Sequence, residues 1–269
     1  WDLRQTYRGL RDGIDGLQLR RASTGAAFAI GLTPKLQWTL GGAISYRDYA
    51  GAPRSTFFSN GWLAELDNRF DYLLESWPDR RLRVGGFASL RAGHIFTMTP
   101  SRLVASDAGL HSTWFPQAKD DKYRVFLRAR TGKMFGNAPL DELYMLGMER
   151  DNGRDFWLRG IVGTANGRKG NAPLGREYVI AQGDLERRMF EFPFIRAAAG
   201  PFFDAGRVTD PSGLFGSRGM LYASGVQAEL RTLGAVELTF VYGRDLAAGR
   251  GVFYTAVGRR GARRLQSQQ

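Results

Sequence analysis

The chain has 269 residues, of which 43% are hydrophobic and 24% are charged, and its formal net charge is +12. This composition excludes an intrinsically disordered chain, and the length allows one large β-domain or two small ones. The absence of cysteine excludes a disulfide framework and a thiolate metal site. No apolar run approaches the roughly 18 residues that a membrane-spanning helix needs, whereas the alternating strands of a membrane barrel are compatible with the mean hydropathy of −0.31.

The basic residues are spread along the chain rather than gathered in one patch. In a barrel they would line the interior or meet anionic lipid at the rims, so we predict no nucleic-acid partner. The basic run from Arg259 to Arg264 is interpreted as a solvated terminus.

Taken in chain order, residues 1–14 are interpreted as a helical or irregular lead-in, residues 15–260 as one β-domain, and residues 261–269 as a polar tail. Within the β-domain, apolar and polar residues alternate with the period of two that is typical of strands. Turn signals divide the domain into about twelve strands. These are predicted at 16–32, 36–49, 56–74, 80–95, 104–115, 122–133, 141–149, 177–192, 196–208, 220–232, 235–245 and 251–258.

The length of the predicted strands and the position of the aromatic residues favour a membrane barrel. Many of the strands exceed about ten residues, whereas strands of globular proteins are nearer five or six. Aromatic residues stand near strand ends, as the interface girdles of a membrane barrel require. These residues are Trp38, Tyr46, Tyr49, Trp62, Tyr72 and Trp77. A soluble sandwich also alternates and remains the alternative, but the predicted fold class is all-β, an antiparallel transmembrane β-barrel of about 12 strands.

The longest connection between predicted strands, at about 150–176, contains one of a series of short motifs and is flanked by the others. A loop of this length inside a compact domain is usually functional or disordered. In chain order the motifs are Leu146-Gly147, Leu158-Arg159-Gly160-Ile161, Leu185-Glu186-Arg187-Arg188 running to Pro193, and Phe202-x-Asp204-x-Gly206. In their order and spacing they resemble the BamA/TamA-type outer-membrane assembly family, also called bacterial surface antigen proteins.

The resemblance implies a lock between the long loop and the barrel wall. In the family, the loop folds into the lumen and its arginine contacts the strand that carries the aspartate. Carried over, Arg159 would meet Asp204, and Gly160 would permit the backbone turn beside the arginine. Gly206 belongs to the same lock, with Gly147, Glu186 and Phe202 as supporting residues. The alternative is an arginine in a surface loop and an aspartate in a turn.

The chain also departs from the family pattern. Met148 stands where the family has a second glycine, Ile161 replaces an aromatic residue, and residues 149–155 add a charged insertion. The family usually has about sixteen strands, preceded by periplasmic POTRA domains. The chain is therefore expected to be a smaller barrel, or a sixteen-stranded barrel truncated on its N-terminal side.

Few residues could support catalysis, and we predict that the chain is not an enzyme. His94 and His111 are the only histidines, and no set of metal ligands stands out, so no metal and no cofactor are predicted. The pair His111-Ser112 leaves open a hydrolase built into the barrel wall.

By resemblance, the expected function is the insertion or translocation of other proteins into or across the bacterial outer membrane. The expected partners are outer-membrane lipid, lipopolysaccharide and client or passenger proteins. A weak seam between the first and last strands would template a client strand. The alternatives are a membrane anchor or secretion barrel for a fused passenger or enzyme domain, and a barrel enzyme.

Overall fold

The computed structural model describes most of the chain. The described residues are 2–11, 18–50, 58, 60–96, 101–117, 120–147, 158–161, 172–211, 216–217, 219–232 and 236–259. The charged insertion at 149–155 and the polar tail at 261–269 lie outside them. No helix in the described part of the chain has the length and apolar composition needed to cross a bilayer.

The wall is one antiparallel sheet of twelve strands, which confirms the predicted fold class. Along the chain, the strands are β1 (Asp2–Arg11), β2 (Gln18–Thr33), β3 (Leu36–Ala50), β4 (Gly61–Trp77), β5 (Leu82–Phe96), β6 (Ser101–Trp114), β7 (Tyr123–Gly136), β10 (Glu177–Phe192), β11 (Ile195–Thr209), β12 (Leu221–Thr232), β13 (Val236–Asp245) and β14 (Gly251–Arg259). Each strand pairs with its neighbours in this order, and β1 and β14 form the edges of the sheet. Two short strands, β8 (Tyr144–Met145) and β9 (Leu174–Gly175), pair with each other inside the β7–β10 connection.

The two faces of the sheet differ as the alternation of the sequence predicts. The outward face carries large apolar side chains such as Ile44, Leu66 and Leu90, each about half exposed. The inward face carries charged and polar side chains that pair with each other or with the long loop. Exposed apolar residues on the outside and polar residues inside are typical of a barrel surrounded by lipid.

Most of the aromatic residues predicted for the girdles face outward. Tyr46, Trp62, Tyr72 and Trp77 are each at least 40% exposed. Tyr49 is an exception, because it lies on the inward face, is 5% exposed and donates a hydrogen bond to the long loop.

The connections between strands differ in length at the two ends of the barrel. Tight turns at 34–35, 78–81 and 193–194 close one end, and the β7–β10 connection at 137–176 lies at the other. The twelve antiparallel strands place the start of β1 and the end of β14 at the end with the short turns.

The predicted strand boundaries were wrong in two places. Residues 2–11, interpreted as part of a lead-in, form β1, and residues 141–147 of the strand predicted at 141–149 do not belong to the wall. Instead, Leu140–Glu142 form a 3-10 helix that is followed by β8. Residues 138–147 are all buried, because protein surrounds this segment on every side. The two errors offset each other, so the predicted number of strands was nevertheless right.

The hydrophobic core of the molecule lies inside the barrel, at the end with the long loops. Inward-facing Leu63, Ile95 and Leu103 from β4, β5 and β6 share one buried cluster with Leu140 and Leu146 of the β7–β10 connection. Burying these side chains gives a hydrophobic gain of roughly 1.5–3 kcal/mol each, which holds residues 140–146 of the connection inside the wall. Residues 137–176 are named the lumen loop below.

Candidate functional site in the lumen loop

The lumen loop contacts the wall through Arg159, which lies against three neighbouring strands. Its backbone N–H donates to Oδ2 of Asp204 over 2.8 Å, its Nε donates to the same oxygen over 3.0 Å, and its Nη2 donates to Oδ1 over 2.6 Å. Its Nη1 contacts Asp184 on β10 and donates to Oε1 of Gln227 on β12 over 2.8 Å. The structure thus brings together the arginine and the aspartate that the sequence analysis paired.

The Arg159 site, defined as Arg159, Asp184, Phe202, Asp204 and Gln227, excludes most water. The side chain of Asp204 is fully buried and that of Arg159 is 11% exposed. The guanidinium carbon of Arg159 lies 4.1 Å from the centre of the Phe202 ring, a cation–π contact. Burial disfavours the charged guanidinium, but the carboxylates of Asp204 and Asp184 outweigh it and raise the pKa of Arg159. The pair is therefore a charge-assisted, bidentate contact in a partly dry interior.

Gly160 is required for a close approach rather than for a special backbone angle. Its φ lies outside the left-handed region, so the turn that was expected to need a glycine does not need one. A Cβ at this position would stand 2.8 Å from the backbone of Arg244 on β13. The loop backbone beside Arg159 can therefore touch the wall only because residue 160 has no side chain.

The other predicted site residues lie at different distances from Arg159. A Cβ on Gly206 would stand 3.1 Å from the side chain of Leu158, so Gly206 lies under the loop next to Arg159. A Cβ on Gly147 would stand 2.8 Å from Cβ of Ala172, which places Gly147 where the two arms of the loop meet. Glu186 pairs with Arg124 on β7 and belongs to the wall.

A second polar contact between the loop and the wall centres on Glu142, at the start of the lumen loop. Its Oε1 accepts hydrogen bonds from Arg21 on β2 over 2.8 Å and from Arg47 on β3 over 2.9 Å. Its Oε2 accepts a hydrogen bond from Arg91 on β5 over 2.6 Å. Three strands therefore contact one fully buried carboxylate directly, and β4 joins them through Glu65, which contacts Arg91.

The neighbouring Asp141 joins the same network. Its carboxylate lies 3.2 Å from both Arg21 and Arg47, and it accepts a 2.5 Å hydrogen bond from the hydroxyl of Tyr49. The acid–arginine cluster is defined as the six charged residues Arg21, Arg47, Glu65, Arg91, Asp141 and Glu142.

Sequence reasoning missed the acid–arginine cluster, as well as Asp184 and Gln227 in the Arg159 site. Alternation along the strands predicted that residues such as Glu65 and Arg91 share the polar face, but spacing along a strand carries no information on which loop residue reaches it. The segment with Asp141 and Glu142 was interpreted as a wall strand, which hid their contact with the interior.

The histidines do not assemble a catalytic group. His111 lies on β6 at an inward position, paired with Gly85, and the adjacent Ser112 points to the opposite face. His94 lies on β5 and packs against the ring of Phe96, with ring centroids 4.5 Å apart. Within the described ranges, no group of three or more His, Cys, Asp or Glu residues could hold a metal ion.

The fold is similar to those of solved structures of BamA and CdiB. BamA from Haemophilus ducreyi lacking POTRA domains 1-3 has a TM-score of 0.59 and 12% sequence identity, covering 95% of this chain and 57% of that chain. CdiB from Escherichia coli has a TM-score of 0.55 and 12% identity, covering 95% of this chain and 48% of that one. CdiB from Acinetobacter baumannii has a TM-score of 0.51 and 10% identity, with coverages of 95% and 52%.

These likenesses establish the shared barrel fold. The chain spans about half the length of the solved structures that it matches. No family model matches the chain, and no curated protein matches it in sequence. At identities of 10–12%, activity must be inferred from the lumen loop and its partners.

Proposed function

We propose that the protein is a bacterial outer-membrane β-barrel that inserts other proteins into the membrane or translocates them across it. The observation that carries this proposal is the lumen loop bound inside the wall by Arg159 and Asp204. The residues of this contact stand in the order and spacing of the BamA/TamA-type motifs, and the fold is similar to that of BamA.

The edges of the sheet supply a mechanism for insertion. Among the described residues, β1 and β14 are the outermost strands of the sheet, and an unpaired edge of either would template a further strand. A client strand would add to such an edge through backbone hydrogen bonds, which depend little on the sequence of the client. The lumen loop, fixed to the wall, would hold the curvature of the barrel while the seam between β1 and β14 opens.

Lipid and client proteins are the proposed partners, and no catalytic role is assigned. The apolar outward face would contact outer-membrane lipid, including lipopolysaccharide at the outer rim. In the Arg159 site, both oxygens of Asp204 already accept hydrogen bonds from Arg159, so this carboxylate has a positioning role.

The proposal is tested with the protein reconstituted in lipid vesicles. An unfolded outer-membrane protein is added as client, and its insertion is followed by protection from protease. We expect faster insertion with the wild-type protein than with empty vesicles, and a loss of that acceleration with Asp204→Asn. Equal insertion rates with and without the protein would contradict the proposal. Export of a passenger domain fused to the chain, without acceleration of any client, would instead support the passenger-anchor alternative.

A further inference from the structure

The acid–arginine cluster and the Arg159 site lie on different sectors of the wall. The cluster is built on β2, β3, β4 and β5, and the Arg159 site is built on β10, β11 and β12. In the order of the sheet, β6 and β7 separate the two sectors. One loop therefore touches both sectors, with Glu142 at its start and Arg159 near its middle.

The cluster is balanced in charge and almost dry. It joins three arginines to three carboxylates, and the side chains of Arg47 and Glu142 are fully buried. Such a group contributes little to stability as a whole, because desolvation offsets the attraction between the charges. It does impose a specific geometry, since removing one member leaves a buried charge without its partner. A contact that adds little net stability but requires a specific geometry is better suited to positioning the loop than to stabilising the fold.

We propose that the acid–arginine cluster is a second anchor of the lumen loop, and that Glu142 is the positioning residue that fixes the start of the loop to β2–β5. This inference rests on the proposed function, because it names what holds the loop on which that function depends. Two described segments of the loop, 140–147 and 158–161, are then bound to two different sectors of the wall. Either end can be released while the other stays bound.

The experiment measures the release of each end separately, using the absence of native cysteine. Leu143→Cys reports on the Glu142 end and Ile161→Cys on the Arg159 end, since the native residues are 2% and 4% exposed. Each single thiol is treated with a membrane-impermeant maleimide in the full-length protein in lipid vesicles. Glu142→Gln is expected to increase the labelling rate of residue 143 by about tenfold or more and to leave residue 161 protected.

Two further variants separate positioning from loss of the fold. In the double variant Glu142→Gln with Arg91→Gln the cluster stays balanced in charge, so the barrel should fold while the start of the loop is released. Asp71→Asn is the matched control, because Asp71 pairs with Arg69 over 2.7 Å on the inward face of β4, a pair in which no described residue of the loop takes part. The control should leave both thiols protected.

The outcomes distinguish this inference from the proposed function. Labelling of residue 143 in the folded double variant, with residue 161 protected, supports two separate anchors. Protection of residue 143 in that variant, or simultaneous labelling of both positions, would overturn the inference. The labelling needs no client protein, so a failure of client insertion with normal labelling would count against the proposed function alone.

Discussion

Replacing Asp204 with asparagine removes the charge that binds the lumen loop but keeps the shape of the side chain. The carboxylate is fully buried and accepts three hydrogen bonds from Arg159, at 2.6, 2.8 and 3.0 Å. Breaking a buried pair from one side costs about 3–5 kcal/mol. Because Asp184 and Gln227 still contact Nη1 of the arginine, we expect the lower end of that range, about 3 kcal/mol.

The loss is measured as the free energy of unfolding by urea in lipid vesicles. The six tryptophans provide the fluorescence signal, and mobility on unheated gels reports separately on the folded barrel. Asp71→Asn removes an inward-facing carboxylate that pairs with Arg69 and serves as the control. If Asp204→Asn had the unfolding free energy and gel mobility of the wild type, the reasoning that the buried pair holds the loop would be refuted.

Three other substitutions test separate parts of the account. Gly160→Ala should destabilise the folded barrel by about 1–3 kcal/mol, because the new Cβ would stand 2.8 Å from the backbone of Arg244. An unchanged free energy of unfolding by urea would show that the loop does not need this close approach to the wall. Leu66→Lys, at an outward position that is 54% exposed, should cost up to about 2–4 kcal/mol in vesicles, because the position is expected to lie in the hydrocarbon region. An unfolding free energy equal to that of the wild type would show that residue 66 does not lie there. His111→Ala should leave client insertion unchanged, whereas a hydrolytic activity of the wild type that is lost in this variant, with normal urea unfolding, would favour a barrel enzyme.

Most of the wall could be predicted from the sequence, since the alternation of apolar and polar residues is a local property of each strand. β1 was missed because its apolar pattern is weak. Leu3, Gln5, Tyr7 and Gly9 stand two residues apart, so Gln5 and Gly9 interrupt the series of large apolar residues that a strand would show. Residues 141–147 were misassigned to a strand because a segment buried on all sides has no solvent-exposed face to produce a pattern.

The two contacts between the lumen loop and the wall differ in whether they could be predicted from the sequence. Arg159 and Asp204 belong to motifs whose order resembles a known family, so their contact could be predicted. Glu142 meets arginines that stand 51, 95 and 121 positions away in the chain. Nothing in local spacing connects such residues, because the curvature of the whole sheet brings them together.

The coupling between Arg159 and Asp204 is the most direct measure of whether the wall holds the loop. A double-mutant cycle with Arg159→Gln, Asp204→Asn and the double variant gives this coupling from three unfolding free energies and that of the wild type. If the two side chains meet as the structure shows, the coupling should be about 1.5 kcal/mol or more, because the second substitution costs little once the first has broken the pair. Additive effects of the two substitutions would contradict the account.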